Sequence, residues 1–184
     1  MTFPVRRIVT HTDEEGLSYA LINGLVDNIE EGLTALWTTG AAPHDHRTSA
    51  DAARGPKSLV PLANGTLFRF CQIPPEWRSA HLTMEERQQA SREFFRKLNA
   101  PDVQPDTHLD PGMHLTDTTD YIILLSGNLS LILDKEEVVL KQFDVVVQRG
   151  TNHSWVNRGM EDALIVAVLI DAKGDVPDRE ISHR

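Results

Sequence analysis

Three side chains in the second half of this chain are equipped to bind a cation or move a proton. His114 and Asp120 lie close in sequence, with Thr116 between them, and His153 follows on a later segment. The residues around them read as buried β-strands, where imidazoles and a carboxylate are costly unless something pairs with them. Alternate residues of a strand share a face. His114 and Thr116 are therefore expected on one face, with Met113 and Leu115 on the other. Asp117, Thr118 and Thr119 can turn the chain, so that Asp120 opens the next strand. His153 and Trp155 share a face further on. If a closed sheet brings these faces together, His114, Asp120 and His153 converge. Two neutral imidazoles and one carboxylate suit a divalent transition metal (iron, zinc, manganese or nickel) and leave open positions for substrate or water. Such an ion polarises a carbonyl or carboxylate, activates water or binds oxygen.

Other residues are weaker candidates. Arg69 lies in a strand and could pair with a substrate carboxylate through two parallel hydrogen bonds, although a rim salt bridge explains it as well. Trp155 is expected to face inward, as a pocket wall or as core. Tyr121 alternates away from Asp120 and reads as outward or interfacial. His81 and His108 read as loop residues. His44 and His46 have a ligand-like spacing, but the composition around them is that of a solvated loop. Cys71 is the single cysteine; its neighbours Phe70 and Ile73 place it in a buried strand with no partner that would activate it.

The elements that must position these groups are mostly strands. Residues 5–10 and 17–21 flank an acidic turn ending at Gly16 and predict an N-terminal hairpin or arm. Residues 33–38 predict a strand, 40–58 a long loop, and 66–73 a strand ended by Pro74 and Pro75. Thr83 followed by Glu86 is a capping box, and the helix it starts should run to about Leu98, with Asn99 and Pro101 as stop signals. Phe94, Phe95 and Leu98 give that helix one apolar end, fit to cover a barrel or to meet a second copy. From residue 112 onward short strands recur over 121–125, 129–133, 138–140, 145–147, 154–156 and 163–170, spacing that predicts a sandwich or barrel. The Val-rich strands read as core.

At 184 residues the chain suits a single domain, 1–184, with a barrel core over about 60–172, a helical insertion over about 83–99 and a loose charged tail over 173–184. Hydrophobic residues at 40% and charged residues at 24% are ordinary for a soluble globular protein. A net charge of −9 with no basic cluster argues against nucleic acid as a partner. A small anionic substrate stays compatible, because one local Arg overrides the average field. One cysteine permits no intrachain disulfide and fits a reducing, cytoplasmic location. The first residues lack the apolar run of a signal peptide, and no segment is long enough to span a membrane.

The sequence resembles the cupin superfamily. The family's first motif, G-x5-H-x-H-x3,4-E-x6-G, is met by His114, by Thr116 in place of the second His, by Asp120 in place of Glu, and by Gly127. Its second motif, G-x5-P-x-G-x2-H-x3-N, is met by Gly150, His153 and Asn157, with Gln148 in place of Pro. Both leading glycines are missing, with Phe143 and Asp144 where Gly-Asp is usual. The match covers roughly residues 108–171. It implies an all-β, double-stranded β-helix (a jelly-roll barrel), here with an N-terminal β arm and one inserted α-helix, often dimeric, so a homodimer is expected. Cupin metal sites commonly use three His and one Glu. The resemblance therefore implies His114, Asp120 and His153 as ligands, with Thr116 a weak one better suited to substrate. Gln148 then points inward, to supply an amide oxygen or orient substrate.

Three functions follow as expectations. The first is a metal-dependent enzyme acting on a small oxygenated metabolite or organic acid by decarboxylation, dehydration or isomerisation, with Asp120 and His153 as catalytic groups and Arg69, Thr116, Gln148 and Trp155 around the substrate. The second is an iron-dependent oxygenase, since two His and a carboxylate match facial-triad chemistry. The third is a metal-free binding module or epimerase.

Overall fold

The computed structural model describes residues 4–27, 29–30, 32–55 and 57–173. The chain opens on an antiparallel hairpin of β1 (Arg6–Thr12) and β2 (Ser18–Leu25). The Asp13 carboxylate accepts the backbone N–H groups of Glu15 and Leu17 and so closes the turn, as the acidic Gly16 segment predicts. β3 (Ile29–Glu30), β4 (Leu33–Thr39) and β5 (Thr66–Ile73) follow, the last ending where the two prolines begin. A single α-helix is present among the described residues, α1 (Met84–Lys97). Its capping box is complete: the Thr83 hydroxyl accepts from the Glu86 backbone and the Glu86 carboxylate accepts from the Thr83 backbone.

The second half supplies β6 (Thr118–Ser126), β7 (Leu129–Leu133), β8 (Glu137–Leu140), β9 (Val145–Arg149), β10 (His153–Val156) and β11 (Ala163–Asp171). They form a six-stranded sheet of order β3-β4-β5-β11-β6-β9 and a three-stranded sheet of order β10-β7-β8, with antiparallel pairing throughout. The sheets face each other. Leu67, Cys71, Ile122, Leu124, Ile165 and Leu169 of the large sheet pack with Leu129 and Leu140 of the small one. This is the all-β, double-stranded β-helix architecture, with the hairpin as N-terminal arm and α1 inserted between β5 and β6. At the β6–β7 turn Gly127 has φ +92°, and an added Cβ would lie 2.6 Å from Ala163 Cα, so only glycine fits there.

Two expectations need correction. His114 does not lie in a strand; it forms an isolated antiparallel bridge with His153. The chain around it is pinned by the adjoining Asp110–Met113 turn and by Leu115 donating to the Val103 carbonyl, so side chains no longer alternate. Met113 is buried with Ile132 and Val156, and Thr116 is buried with its hydroxyl on Thr118. The Val-rich strands are also not simply core. Val139, Val145 and Val147 are exposed, because β8 and β9 are edge strands whose outer faces none of the described residues covers. The expected tail beyond Lys173 lies outside the described residues.

Candidate functional site

Strand register carries two opposite charges into the barrel. On β5 the inward positions are Leu67, Arg69 and Cys71. Arg69 is opposite Ala35 on one neighbour and Ala167 on the other, so small side chains on both flanks leave room for a guanidinium. Across β11, Ala167 pairs with Ile122 and Leu169 with Asp120, which puts Asp120 on the same inner face one pair further along. Asp120 in turn pairs with Gln148 of β9. Arg69, Asp120 and Gln148 are all buried.

Their polar atoms are unequally satisfied. Thr116 and Thr118 share a hydroxyl–hydroxyl bond of 2.8 Å, and Thr118 hydrogen-bonds the Asp120 carboxylate. Among the described residues Asp120 Oδ1 is buried without a hydrogen-bond partner, as are Nε and Nη1 of Arg69. Burial pushes the Asp120 carboxyl above the usual carboxylate range, against the opposing pull of Thr118 and the Arg69 cation. Burial likewise pushes the Cys71 thiol up. Native interiors rarely leave such atoms unpaired, and each calls for an explanation such as a ligand.

The two imidazoles stand together. Their ring centroids are 4.3 Å apart and tilted by 42°. His114 and His153 exchange both backbone hydrogen bonds across the bridge, at 2.8 and 2.9 Å. His114 Nδ1 lies 2.9 Å from the Gly112 carbonyl, and His153 Nδ1 lies 2.9 Å from the Thr151 carbonyl. A carbonyl accepts only, so each Nδ1 carries the proton and each Nε2 keeps its lone pair. Burial, then the neighbouring His153, pushes His114 down to about 3; burial pushes His153 down to about 4. Both rings are neutral at neutral pH. Gln148 donates to the same Thr151 carbonyl at 3.1 Å and to the Thr151 hydroxyl, so it braces the turn that orients His153.

Helix α1 reaches this pair. Phe95 is its only buried residue, and its ring lies 4.9 Å from that of His114. Trp155 meets His153 edge-on at 5.7 Å. The apolar end of the helix was visible in the sequence, but which ring it would cover was not.

In chemistry the donors fit a divalent ion: two neutral imidazoles with Nε2 lone pairs, and a carboxylate with an unpaired oxygen. In space, His114 and His153 are gathered. Among the described residues no group of three or more His, Cys, Asp or Glu side chains stands close enough to hold a metal. Arg69, by its electrostatic influence on Asp120, Cys71 and His114, sits among all three.

Two cavities flank the cluster. One, of about 350 Å³, lies against β4 and β5 and is walled by Leu33, Ala35, Leu67, Leu98 and Arg69. The other, of about 500 Å³, lies between α1 and β10 and includes Trp155 and Ser154, whose hydroxyl donates to Asp110 at 2.5 Å. Trp155 and Arg69 therefore border different spaces. Tyr121 faces outward, and His44, His46, His81 and His108 are exposed loop residues.

Comparison with known proteins places residues 102–169 in the cupin domain family. A stretch of 78 residues is 53% identical to phomopsin biosynthesis cluster protein C' of Diaporthe leptostromiformis, covering 41% of this chain and 40% of that one. A stretch of 69 residues is 42% identical to the cupin-domain-containing oxidoreductase srdD of Neurospora crassa, covering 35% of each. The match thus spans well under half the length of these relatives. A Cupin 2 conserved barrel domain protein from Salinispora arenicola aligns at 18% identity over 58% of this chain and 64% of that one, with a TM-score of 0.35. Among the described residues no helix is long and apolar enough to cross a membrane.

Proposed function

The chain belongs to the cupin superfamily, and on that premise we propose that its barrel is the active site of a metal-dependent enzyme acting on a small oxygenated metabolite or organic acid. The reaction class is non-redox: decarboxylation, dehydration or isomerisation. The observation that carries this is the pair of opposite charges in one interior, Arg69 and Asp120, each with buried atoms that no group among the described residues satisfies. Such atoms are the complement of a bound polar molecule.

Each residue has a role. Arg69 receives the anionic oxygen of the substrate and holds the charge that develops there. His153, neutral and with Nε2 unprotonated, offers that one lone pair to a proton or to a metal ion, but not to both at once. Asp120, its carboxyl above the usual range, returns a proton. Thr116, through Thr118, orients that carboxyl. Gln148 braces the turn that carries His153, and Trp155 packs edge-on against its ring. A divalent ion, iron, zinc, manganese or nickel, would be held by the Nε2 atoms of His114 and His153, with Asp120 not gathered closely enough to them to complete a three-residue ligand set, and would supply Lewis-acid polarisation of a substrate oxygen.

The test is turnover of a panel of 3-oxo, enolic and hydroxy acids by metal-loaded protein, wild type against Asp120→Asn. Loss of activity in the variant with unchanged fold supports the assignment; equal activity refutes it. A second possibility, oxidative chemistry, is favoured by the name of the Neurospora relative, a cupin-domain-containing oxidoreductase. Oxygen uptake during turnover distinguishes the two.

A homodimer is proposed from the outer face of the large sheet. Tyr121 pairs with Val147 and Ile123 with Val145 in register, and all four are exposed at the edge of the sheet. An antiparallel edge strand can meet its own copy about a two-fold axis. Light scattering of wild type against Val147→Lys tests it: the account requires a dimer that the variant loses.

A further inference from the structure

The cavity beside Arg69 has a marked asymmetry of chemistry. Its walls are mainly apolar: Leu33 and Ala35 of β4, Leu67 of β5, Val60 and Leu62 of the preceding loop, and Leu98 after α1, with Thr38, Ser58 and the exposed Arg54 and Lys57 also on its border. Among the described residues none that borders it is acidic, although the chain as a whole carries a net charge of −9. Its buried charge is Arg69, which keeps only 9% of its surface exposed and has Nε and Nη1 without hydrogen-bond partners. A volume of about 350 Å³ is at the small end of ligand sites, which run from roughly 300 to 1,000 Å³.

From this we infer that the substrate is an anion with an apolar body, a carboxylate or enolate on an aromatic or aliphatic skeleton, and not a polyhydroxylated or phosphorylated compound. It rests on the proposed reading of the barrel as a small-molecule site and adds the substrate class and the side of entry. The anionic oxygen lies on Arg69, where a charge-assisted hydrogen bond in apolar surroundings is strong. The skeleton lies between Ala35, Val60, Leu67 and Leu98, an apolar wall against which hydroxyl groups would lose water without gaining partners, the polar Thr38, Ser58, Arg54 and Lys57 lying elsewhere on the border. Arg69 also marks the inner limit of the cavity, since Asp120 lies beyond it and is not part of the wall. The ligand thus enters from the β4 and Leu98 side, and its anionic end is the part brought next to Asp120.

Binding is measured without turnover, by following the ¹⁵N-labelled Arg side-chain Nε–H resonance that disappears in Arg69→Met. The probes are trans-cinnamate, hexanoate, cinnamamide, gluconate and formate. Cinnamate and hexanoate should shift the Arg69 resonance and bind at least tenfold more tightly than gluconate or cinnamamide. Calorimetry should show a Kd for cinnamate at least tenfold weaker in Arg69→Met, a substitution that replaces a buried cation by an apolar chain of similar length. Ala35→Leu, which keeps the cation and narrows the cavity, should weaken cinnamate at least fivefold while formate still shifts the Arg69 resonance. The inference is overturned if neither carboxylate shifts Arg69, if gluconate binds as well as cinnamate, or if Arg69→Met binds cinnamate like wild type. Binding as described in a protein that turns over no member of the acid panel would leave the inference standing and remove the catalytic proposal alone.

Discussion

His114 and His153 repeat one local geometry: each imidazole gives its Nδ1 hydrogen to the carbonyl two residues before it, Gly112 in one case and Thr151 in the other, and the rings then meet at 4.3 Å. Both are thereby fixed as the same tautomer, with the lone-pair nitrogen turned away from the backbone. A pair so prepared is kept neutral by burial and made costly to protonate.

That cost sets a pH dependence of stability. In the unfolded chain both imidazoles titrate near 6.5; in the folded chain they are pushed down to about 3 and about 4. The unfolded state therefore binds more protons over that interval. Stability is fully present above pH 6.5 and is lost as pH falls toward 4, by up to about 1.4 kcal/mol per pH unit for each ring. Asp120 acts in the opposite direction, its raised carboxyl gaining a proton early and offsetting part of the loss. Urea unfolding at pH 7.5, 6 and 5 should show this slope, and His153→Gln should remove about half of it. A flat profile in wild type would contradict the buried, neutral pair.

Phe95 shields His114 from the helix side. Phe95→Ala should cost about 3–5 kcal/mol in denaturant unfolding, as truncation of a buried Phe does. It should also let water reach His114, so that its NMR titration midpoint rises from about 3 toward the free value. Loss of stability with no movement of that midpoint would mean that Phe95 fills space without controlling the ring.

Most of the strands and the helix start are legible in the sequence, because alternation and the Thr83–Glu86 capping box are local signals. His114, His153 and Asp120 read as inside because their neighbours are apolar, whereas the burial of Arg69, for which a rim salt bridge is an equal reading, comes from the structure. The burial of Val139 and Val145 was misjudged for the same reason. Period-2 patterning names two faces but cannot say which strand ends a sheet, and β8 and β9 end theirs. The contact of Phe95 with His114 and the satisfaction of Gln148 by Thr151 join segments through space or through a turn whose geometry no pattern encodes.

Gly127 offers a check on the fold that surrounds the site. Gly127→Ala combines a left-handed backbone with a Cβ driven into Ala163, and should destabilise by about 2–3 kcal/mol. Thermal unfolding of the variant measures it. A change within experimental error would mean that β6 and β11 do not approach as closely as described.

Metal content tests the ligand set. Protein loaded with iron, zinc, manganese or nickel and then desalted should keep about one ion per chain, and His153→Ala should keep none by elemental analysis. A stoichiometric ion retained by His153→Ala would refute the assignment of that imidazole.

Proton transfer at Asp120 and His153 is the centre of the account, and it can be read without knowing the product. Metal-loaded protein in deuterium oxide, with 3-oxo and enolic acids bearing an apolar group, should catalyse hydrogen–deuterium exchange at the carbon next to the carbonyl, followed by NMR. The predicted result is exchange well above the buffer rate in wild type, falling at least a hundredfold in Asp120→Asn and in His153→Gln, both still folded. Exchange that persists unchanged in those variants would contradict it.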